Sequence, residues 1–195
     1  MISKTIKDIP LTLHTASNLF SPEQIDRGTL AMLSVVEFAP GDYVLDLGCG
    51  YGVVGILAAK IIGPENVVMS DVDFAAVRQA QKNAALNDVA GIAIVQSDGF
   101  RALDAAGFST ILSNPPYHAD FSVPKHFIEK GFNRLRLGGR LYMVTKRKDW
   151  YKNKLTAIFG GVKVHEIDGY FVFCAEKRSD QYANTKKQKP RRSNR

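Results

Sequence analysis

Short apolar segments alternate with longer amphipathic segments through most of the chain. The apolar segments have the length and the β-branched content of buried strands. They occupy residues 43–47, 67–70, 92–95, 110–112 and 141–144. Helical periodicity, bounded by glycine and proline, predicts helices over residues 21–38, 53–62, 74–86, 124–135 and 149–159. Strands that alternate with helices at this spacing predict an α/β fold with a doubly wound, mostly parallel sheet.

The last part of the chain predicts a different connection between strands. Two strand-like runs, 162–167 and 170–175, are separated only by Asp168-Gly169, a pair typical of tight hairpin turns. A two-residue loop joins antiparallel neighbours, whereas parallel strands need a longer crossover. The sheet is therefore expected to have seven strands and to end in an antiparallel hairpin.

The N-terminal segment carries a weaker pattern. No element is predicted over residues 1–20, where Ile9-Pro10 argues against a helix. Ser21-Pro22 followed by Gln24 has the form of a helix cap with a capping box, so the first helix is predicted to begin at residue 21. Within that helix, Asp26 and an interior glycine, Gly28, indicate close approach by another group.

Length and composition exclude several classes of protein. A chain of 195 residues suits one α/β domain. No apolar run approaches the ~18 residues of a membrane span, and the N-terminus lacks the apolar core of a secretory signal. The two cysteines, Cys49 and Cys174, and the four histidines show no metal-ligand spacing, so neither a metal site nor a disulfide is expected. A cytoplasmic protein without membrane partners is predicted.

The net charge of +7 comes from one end of the chain. Residues 177–195 hold eight Lys or Arg against one Asp, whereas residues 1–176 hold eighteen of each sign. We therefore expect a catalytic domain over residues 1–178 and a basic, disordered tail over residues 179–195. Such a tail suits RNA phosphates, with contacts expected from Lys186, Lys187, Arg191 and Arg192. A solubilising end without a partner is the alternative.

Polar residues stand where the predicted strands end. A glycine-rich loop, residues 46–52 (DLGCGYG), closes the first central strand. Asp71, Asp98 and Asn114 follow the next three strands along the chain. Because the carboxyl ends of parallel strands share one edge of a sheet, Asp46 and these three side chains are expected to converge on a ligand there.

The glycine-rich loop by itself fits two ligands. Residues 50–55 (GYGVVG) with Asp71 also satisfy the dinucleotide fingerprint of dehydrogenases. Three features favour S-adenosylmethionine. Asp46 suits a ligand with a cationic amine and a sulfonium better than it suits a pyrophosphate. Asp98 is placed to accept a hydrogen bond from adenine, and the terminal hairpin departs from the wholly parallel dehydrogenase sheet.

These residues resemble a known family. Residues 44–52 (VLDLGCGYG), Asp71 and residues 114–117 (NPPY) are similar to the class I S-adenosylmethionine-dependent methyltransferases that modify planar amines. Residues 20–28 (FSPEQIDRG) and 114–118 (NPPYH) resemble the ribosomal RNA guanine-N2 methyltransferases of RsmC type. The resemblance covers about residues 10–178 and implies a Rossmann-like methyltransferase sheet. Larger members of that family carry an additional N-terminal domain, which leaves the RNA and the base open.

The motifs and the resemblance together assign roles to individual residues. The residues expected to bind S-adenosylmethionine are Asp46, Gly48, Cys49, Gly50, Gly52, Asp71, Val72, Asp98, Gly99 and Asn114. The residues expected to act in catalysis are Asn114, Pro115, Pro116 and Tyr117, and the domain residues expected to contact substrate are Phe20, Tyr117 and His118.

The tetrapeptide suits an exocyclic amine, whose lone pair is delocalised into its ring. If the Asn114 side-chain oxygen and the Pro115 carbonyl accept its two N–H bonds, the lone pair turns toward the methyl group. Tyr117 would then stack on the base. The function expected first is methylation of guanine N2 in ribosomal RNA, free or in a ribosomal particle. The alternatives are adenine-N6 methylation of nucleic acid, glutamine-N5 methylation of protein, and a non-catalytic RNA-binding module.

Overall fold

A computed structural model describes residues 1–16, 19–116 and 121–183. Its strands are β1 (Ile2–Ile6), β2 (Ile9–Leu13), β3 (Val44–Leu47), β4 (Val67–Asp71), β5 (Ala93–Gln96), β6 (Phe108–Ser113), β7 (Leu135–Thr145), β8 (Lys163–Ile167) and β9 (Tyr170–Glu176). Its α-helices are α1 (Arg27–Val35), α2 (Val53–Ile62), α3 (Phe74–Leu86), α4 (Ser122–Arg134) and α5 (Lys148–Phe159), with a short 3₁₀ helix at Pro64–Asn66.

Seven strands form one sheet in the order β5-β4-β3-β6-β7-β9-β8. The first five are parallel, and β9 pairs antiparallel with both β7 and β8. The predicted α/β fold, with its mostly parallel sheet and terminal hairpin, is confirmed. The chain moves outward from β3 to β5 and then crosses to β6 on the other side of β3. Ligands of such sheets bind at the carboxyl ends of the strands where this reversal occurs.

The turn between β8 and β9 has the conformation that its two residues favour. Asp168 and Gly169 have positive φ angles, 50° and 77°. Positive φ at both central positions is the requirement of a type I′ turn, which matches the twist of the flanking strands. The dipeptide Asp168-Gly169 therefore favours this hairpin turn through its own backbone conformation.

The helices lie in two layers, one on each face of the sheet. Buried side chains of α1, α2 and α3 form one apolar cluster, and those of α4 and α5 form the other. The nearly all-apolar α2, whose single charged residue is Lys60, lies between the sheet and the N-terminal hairpin, which explains why it has no extended polar face. In the described residues, no helix is both long and apolar enough to cross a membrane.

The N-terminal segment differs from the prediction, because residues 2–13 form the hairpin β1–β2. The strand β1 lacks a buried alternating face, and Pro10 lies within β2, so neither strand has a typical sequence pattern. The hairpin is held by α3. The side chains of Asn83 and Asn87 each exchange hydrogen bonds with the backbone at the end of β2.

The first helix begins later than predicted. Ser21 has a φ angle of 51° and is not a helix cap, so the prediction of a capping box at this position was wrong. Helix α1 begins at Arg27, and Asp26 caps it by accepting a hydrogen bond from the Thr29 N–H at 2.9 Å. The helix predicted over residues 124–135 ends at Arg134, and the two glycines that follow it, residues 138–139, lie inside β7.

Candidate functional site

A cavity of about 310 Å³ lies at the carboxyl ends of β3, β4 and β6. Its wall is formed by the glycine-rich loop, the starts of α1 and α2, the ends of three strands and part of α4. The lining residues are Phe20, Asp26, Thr29, Met32, Asp46, Leu47, Gly48, Cys49, Gly50, Tyr51, Val53, Val54, Ser70, Asp71, Val72, Ser97, Asp98, Gly99, Asn114, Pro115, Pro116, Val123 and Phe127.

The glycine-rich loop is anchored to the end of β4. The N–H groups of Gly48 and Cys49 donate to the Ser70 carbonyl at 2.8 and 2.9 Å. The Gly50 N–H donates to the Asp71 carboxylate at 2.8 Å. Gly52 is the N-cap of α2 with a φ angle of 100°, and a Cβ there would lie 2.9 Å from the Met69 side chain. The loop conformation therefore depends on glycine.

Asp46 is a buried carboxylate in the central strand, with 3% of its surface exposed. One of its oxygens accepts a hydrogen bond from the Gly55 N–H in the first turn of α2, at 2.9 Å. Its pKa is raised to about 7, mainly by burial and to a smaller extent by the charge of Asp71. The hydrogen bond from Gly55 acts in the opposite direction. A cationic group in the cavity would stabilise the ionised form.

Asp71 connects the loop to the start of α3. One oxygen accepts from Gly50, and the other accepts from the Asp73 N–H at 2.9 Å. These bonds fix the orientation of the carboxylate at the cavity wall. A carboxylate has about four acceptor positions. Asp71 can therefore hold the loop and still accept hydrogen bonds from hydroxyl groups of a ligand.

The turn after β5 contributes Ser97, Asp98 and Gly99 to the cavity. The Ser97 hydroxyl donates to the Gly99 carbonyl at 2.9 Å and accepts from the Ala102 N–H. Asp98 is exposed and forms an ion pair with Arg101 at 2.9 Å. Gly99 has a φ angle of 60°, and a Cβ there would meet the His126 ring at 2.8 Å. The turn therefore packs closely against α4.

Asn114, at the end of β6, is oriented by the start of α1. Its Nδ2 donates to the Asp26 carboxylate at 2.7 Å and to the Thr29 hydroxyl at 3.0 Å. The Asp26 carboxylate can only accept, which identifies this end of the amide as the nitrogen. Because the amide is planar, these bonds also determine where its oxygen points. Pro115 and Pro116 continue the cavity wall from Asn114.

The structure brings most of the predicted site residues together around this one cavity. The predicted residues that line it are Phe20, Asp46, Gly48, Cys49, Gly50, Asp71, Val72, Asp98, Gly99, Asn114, Pro115 and Pro116. Gly52 does not line it and serves the fold of the loop instead. The Cys49 thiol is buried, which raises its pKa and keeps it protonated. Individual binding roles stay predictions.

Several predicted residues lie outside the described part of the chain. They are Tyr117, His118, Lys186, Lys187, Arg191 and Arg192. Of the predicted tail, only residues 179–183 are described. Tyr182 in this segment packs against Phe132 at a ring-centroid distance of 4.9 Å, and its hydroxyl donates to the Glu129 carbonyl at 3.1 Å.

The sequence interpretation missed several polar or aromatic residues of the wall. Thr29 and Phe127 lie on helices, whose buried faces read as core. Ser70 and Ser97 directly precede Asp71 and Asp98 in the sequence. Their position next to predicted site residues could have indicated that they also line the cavity. The Ser70 hydroxyl is fully buried without a hydrogen-bond partner among the described residues. In those same residues no cluster of His, Cys, Asp or Glu suits a metal ion.

The sheet topology and the strand-end cavity are those of an S-adenosylmethionine-dependent methyltransferase of the seven-stranded class. The sequence model of the methyltransferase small domain matches residues 10–174. The chain belongs to that family.

Two individual relatives show which members of the family resemble this chain and over what length. A protein of Bacillus subtilis, the uncharacterised YbxB, is 31% identical over 178 residues, which cover 88% of this chain and 89% of YbxB. The ribosomal RNA small subunit methyltransferase C of Pseudomonas syringae pv. tomato is 32% identical over 180 residues, 89% of this chain but 53% of that protein. The chain thus spans about half the length of the ribosomal RNA methyltransferases that it matches.

A solved structure of a ribosomal RNA methyltransferase also resembles this chain. The 16S ribosomal RNA N2 methyltransferase RsmC of T. thermophilus, in complex with AdoMet and guanosine, superposes with a TM-score of 0.82 at 30% identity. The match covers 91% of this chain and 50% of that one. The resemblance to the RsmC type, stated from the motifs, is confirmed.

Proposed function

We propose that this protein is an S-adenosylmethionine-dependent methyltransferase that acts on the N2 amine of guanine in ribosomal RNA. The observation that carries the proposal is the orientation of Asn114 at the cavity wall by Asp26 and Thr29. The named activities of the relatives support the choice of guanine N2 and of ribosomal RNA.

The donors and acceptors of the cavity fit S-adenosylmethionine. Asp46 suits the cationic end of the molecule, Asp71 suits the ribose hydroxyls, and Asp98 suits the adenine amine. Exposed Val72, at the cavity wall, offers an apolar surface for the adenine ring. When bound, S-adenosylmethionine supplies an electrophilic methyl group on a sulfonium.

Asn114 and the two prolines position the nucleophile. The Asn114 oxygen and the Pro115 carbonyl accept the two N–H bonds of the target amine, which turns its lone pair toward the cavity. Pro115 and Pro116 have no N–H groups to compete for these acceptors and restrict the backbone. Since the leaving thioether is neutral, alignment and exclusion of water contribute more than acid or base catalysis.

The choice of RNA also rests on the basic tail, since Lys186, Lys187, Arg191 and Arg192 suit phosphate and have no evident role toward a protein amide. Adenine N6 and glutamine N5 are the other planar amines that the same tetrapeptide suits. A non-catalytic RNA-binding module has no need for a ligand-sized cavity with carboxylates in its wall beside Asn114.

The variant Asn114→Ala tests the proposal. We expect loss of methyl transfer to ribosomal RNA, with affinity for S-adenosylmethionine within a few fold of the wild type. Asn153→Ala is the matched control, because Asn153 is exposed on α5 away from the cavity. Wild-type turnover in Asn114→Ala would overturn the assignment.

A further inference from the structure

A group of charged side chains lies at the carboxyl edge of the sheet, where β7 ends. Strands β6 and β7 are parallel neighbours, and Ser113 of β6 lies opposite Met143 of β7. Strand β6 ends at Ser113, and β7 ends two residues after Met143, at Thr145. Adjacent strands are about 4.8 Å apart. Residues 146–148 therefore emerge at the same edge of the sheet as the wall formed by Asn114, Pro115 and Pro116.

These three residues are consecutive exposed cations, and each lies over an aromatic ring. Lys146 lies over Tyr170 at 5.0 Å, Arg147 over Phe121 at 5.1 Å, and Lys148 over Phe171 at 5.0 Å. We call Lys146, Arg147 and Lys148 the basic ridge. Stacking on the rings restricts the long side chains, so less rotamer entropy is lost when they bind an anion.

The charges of the basic ridge are largely uncompensated. Lys146 and Arg147 form no ion pair with any carboxylate in the described residues, and Lys148 pairs only with exposed Glu166, at 3.8 Å. The ridge also lies at the start of α5, where the helix dipole disfavours cations and only Asp149 opposes them. The exposed, mostly unpaired cations of the ridge would therefore attract a polyanion.

We propose that the basic ridge binds phosphate groups of the RNA strand that flank the target base. This inference rests on the proposed function, because it needs a base delivered to Asn114. Lys146 lies over Tyr170 and Lys148 over Phe171, adjacent residues of β9 that face opposite sides of the sheet, so the ridge presents cations on both sides of the end of β7. The ridge therefore holds the backbone in register while the base enters the cavity.

The test compares two triple variants of the full chain. Lys146→Ala/Arg147→Ala/Lys148→Ala removes the ridge. Lys82→Ala/Lys130→Ala/Arg136→Ala removes three other exposed cations, from the later turns of α3 and α4 and from the start of β7. Fluorescence anisotropy with a ribosomal RNA fragment measures affinity over a range of salt concentrations, with S-adenosylhomocysteine present to prevent turnover.

Loss of the ridge should weaken RNA binding about tenfold or more and reduce the slope of log K against log salt by about 2, as expected for three contacts to a single strand. The control variant should bind within about twofold of the wild type, with a smaller change in slope. Equal effects of the two variants, or an unchanged slope in the ridge variant, would overturn the proposal.

Two further measurements separate this inference from the proposed function. Calorimetric affinity for S-adenosylhomocysteine should be unchanged in the ridge variant, and Lys146→Glu should weaken RNA binding even if the triple variant folds poorly. Wild-type methylation of the same RNA is measured in parallel. If the wild type methylates RNA and the ridge variant keeps the wild-type KM for RNA, only the proposed role of the basic ridge is refuted. A wild type that methylates no RNA refutes the proposed function.

Discussion

The side-chain amide of Asn114 donates a 2.7 Å hydrogen bond to the carboxylate of Asp26, a residue 88 positions earlier in the chain. The same carboxylate oxygen accepts the Thr29 N–H that begins α1. One group therefore caps a helix and orients the proposed catalytic amide. The start of α1 is part of the site, even though its sequence position is far from the glycine-rich loop.

The Asp26→Ala variant should lose both functions. We expect kcat for RNA methylation to fall about tenfold to a hundredfold while affinity for S-adenosylmethionine stays near the wild-type value, because the amide loses a partner that aligns it. Stability should fall by about 1–2 kcal/mol with the helix cap. Asp26→Asn should recover most of the stability and part of kcat, since asparagine also caps helices and offers an acceptor oxygen.

Asp73→Ala is the matched control for this prediction. Asp73 caps α3 by accepting from the Ala75 N–H at 2.8 Å and does not line the cavity. Its removal should lower stability by a similar amount with little change in kcat. Steady-state kinetics and urea unfolding check both variants. Equal losses of kcat in the two would reduce Asp26 to a structural cap.

The free energy of unfolding should depend on pH through Asp46. Its folded-state pKa is raised from 3.8 to about 7 by burial, so the folded protein holds a proton that the unfolded chain releases. This contribution is full below the unfolded pKa and is lost as pH rises through about 7. The stability of the ligand-free wild type relative to Asp46→Asn should therefore decrease between pH ~4 and pH ~7.

Denaturant unfolding over that pH range measures the difference. S-adenosylmethionine should shrink it, because a cation near Asp46 favours the ionised carboxylate and lowers its pKa. A difference that stays flat with pH, or that rises, would show that Asp46 is ionised throughout in the folded protein.

Elements with an uninterrupted pattern could be predicted from the sequence, and elements that depend on distant contacts could not. The helices Val53–Ile62 and Phe74–Leu86 were predicted with the observed ends, because glycine, proline or a capping aspartate bounds each one. The hairpin β1–β2 was missed because it is held by side chains of α3. The start of α1 was misplaced because Ser21 has a strong local cap signal but adopts a turn.

The same division applies to the candidate site. Asp46, Asp71, Asp98 and Asn114 were found because each lies at or just past the end of a strand, and parallel strands bring their ends together. Thr29 and Phe127 line the cavity because α1 and α4, which carry them, pack on the two faces of the sheet. Helical periodicity shows that such residues are buried but does not show what they face.

The contact between α2 and β4 leaves no room for a larger residue at Gly55. A Cβ there would lie 2.4 Å from Met69 Cγ and 3.3 Å from the Asp46 carboxylate. Gly55→Ala should therefore lower stability by about 1–3 kcal/mol and weaken binding of S-adenosylmethionine by displacing Asp46. Urea unfolding and calorimetry measure the two effects.

Gly161→Ala is the control for this prediction. Its Cβ would meet nothing within 4 Å and its backbone is not in the left-handed region, so stability should change by about 0.5 kcal/mol or less. Wild-type cofactor affinity in Gly55→Ala would show that the close contact does not determine the position of Asp46.

Removal of the basic tail should weaken RNA binding without changing the cofactor site. The truncation is best made after residue 183, so that the Tyr182 contacts with α4 are kept. It removes Lys186, Lys187, Arg191 and Arg192, and the salt dependence of RNA binding should become less steep with affinity for S-adenosylmethionine unchanged. An unchanged salt slope in filter-binding or anisotropy assays would identify the tail as a solubilising end.

The most direct test identifies the methylated group. The protein is incubated with S-adenosylmethionine carrying a labelled methyl group and with unmodified ribosomal RNA, in free and ribosome-bound form, and the nucleosides are separated after digestion. The expected result is label in N2-methylguanosine with the wild type and none with Asn114→Ala. Label in N6-methyladenosine or in protein, or label in N2-methylguanosine that persists in Asn114→Ala, would contradict it.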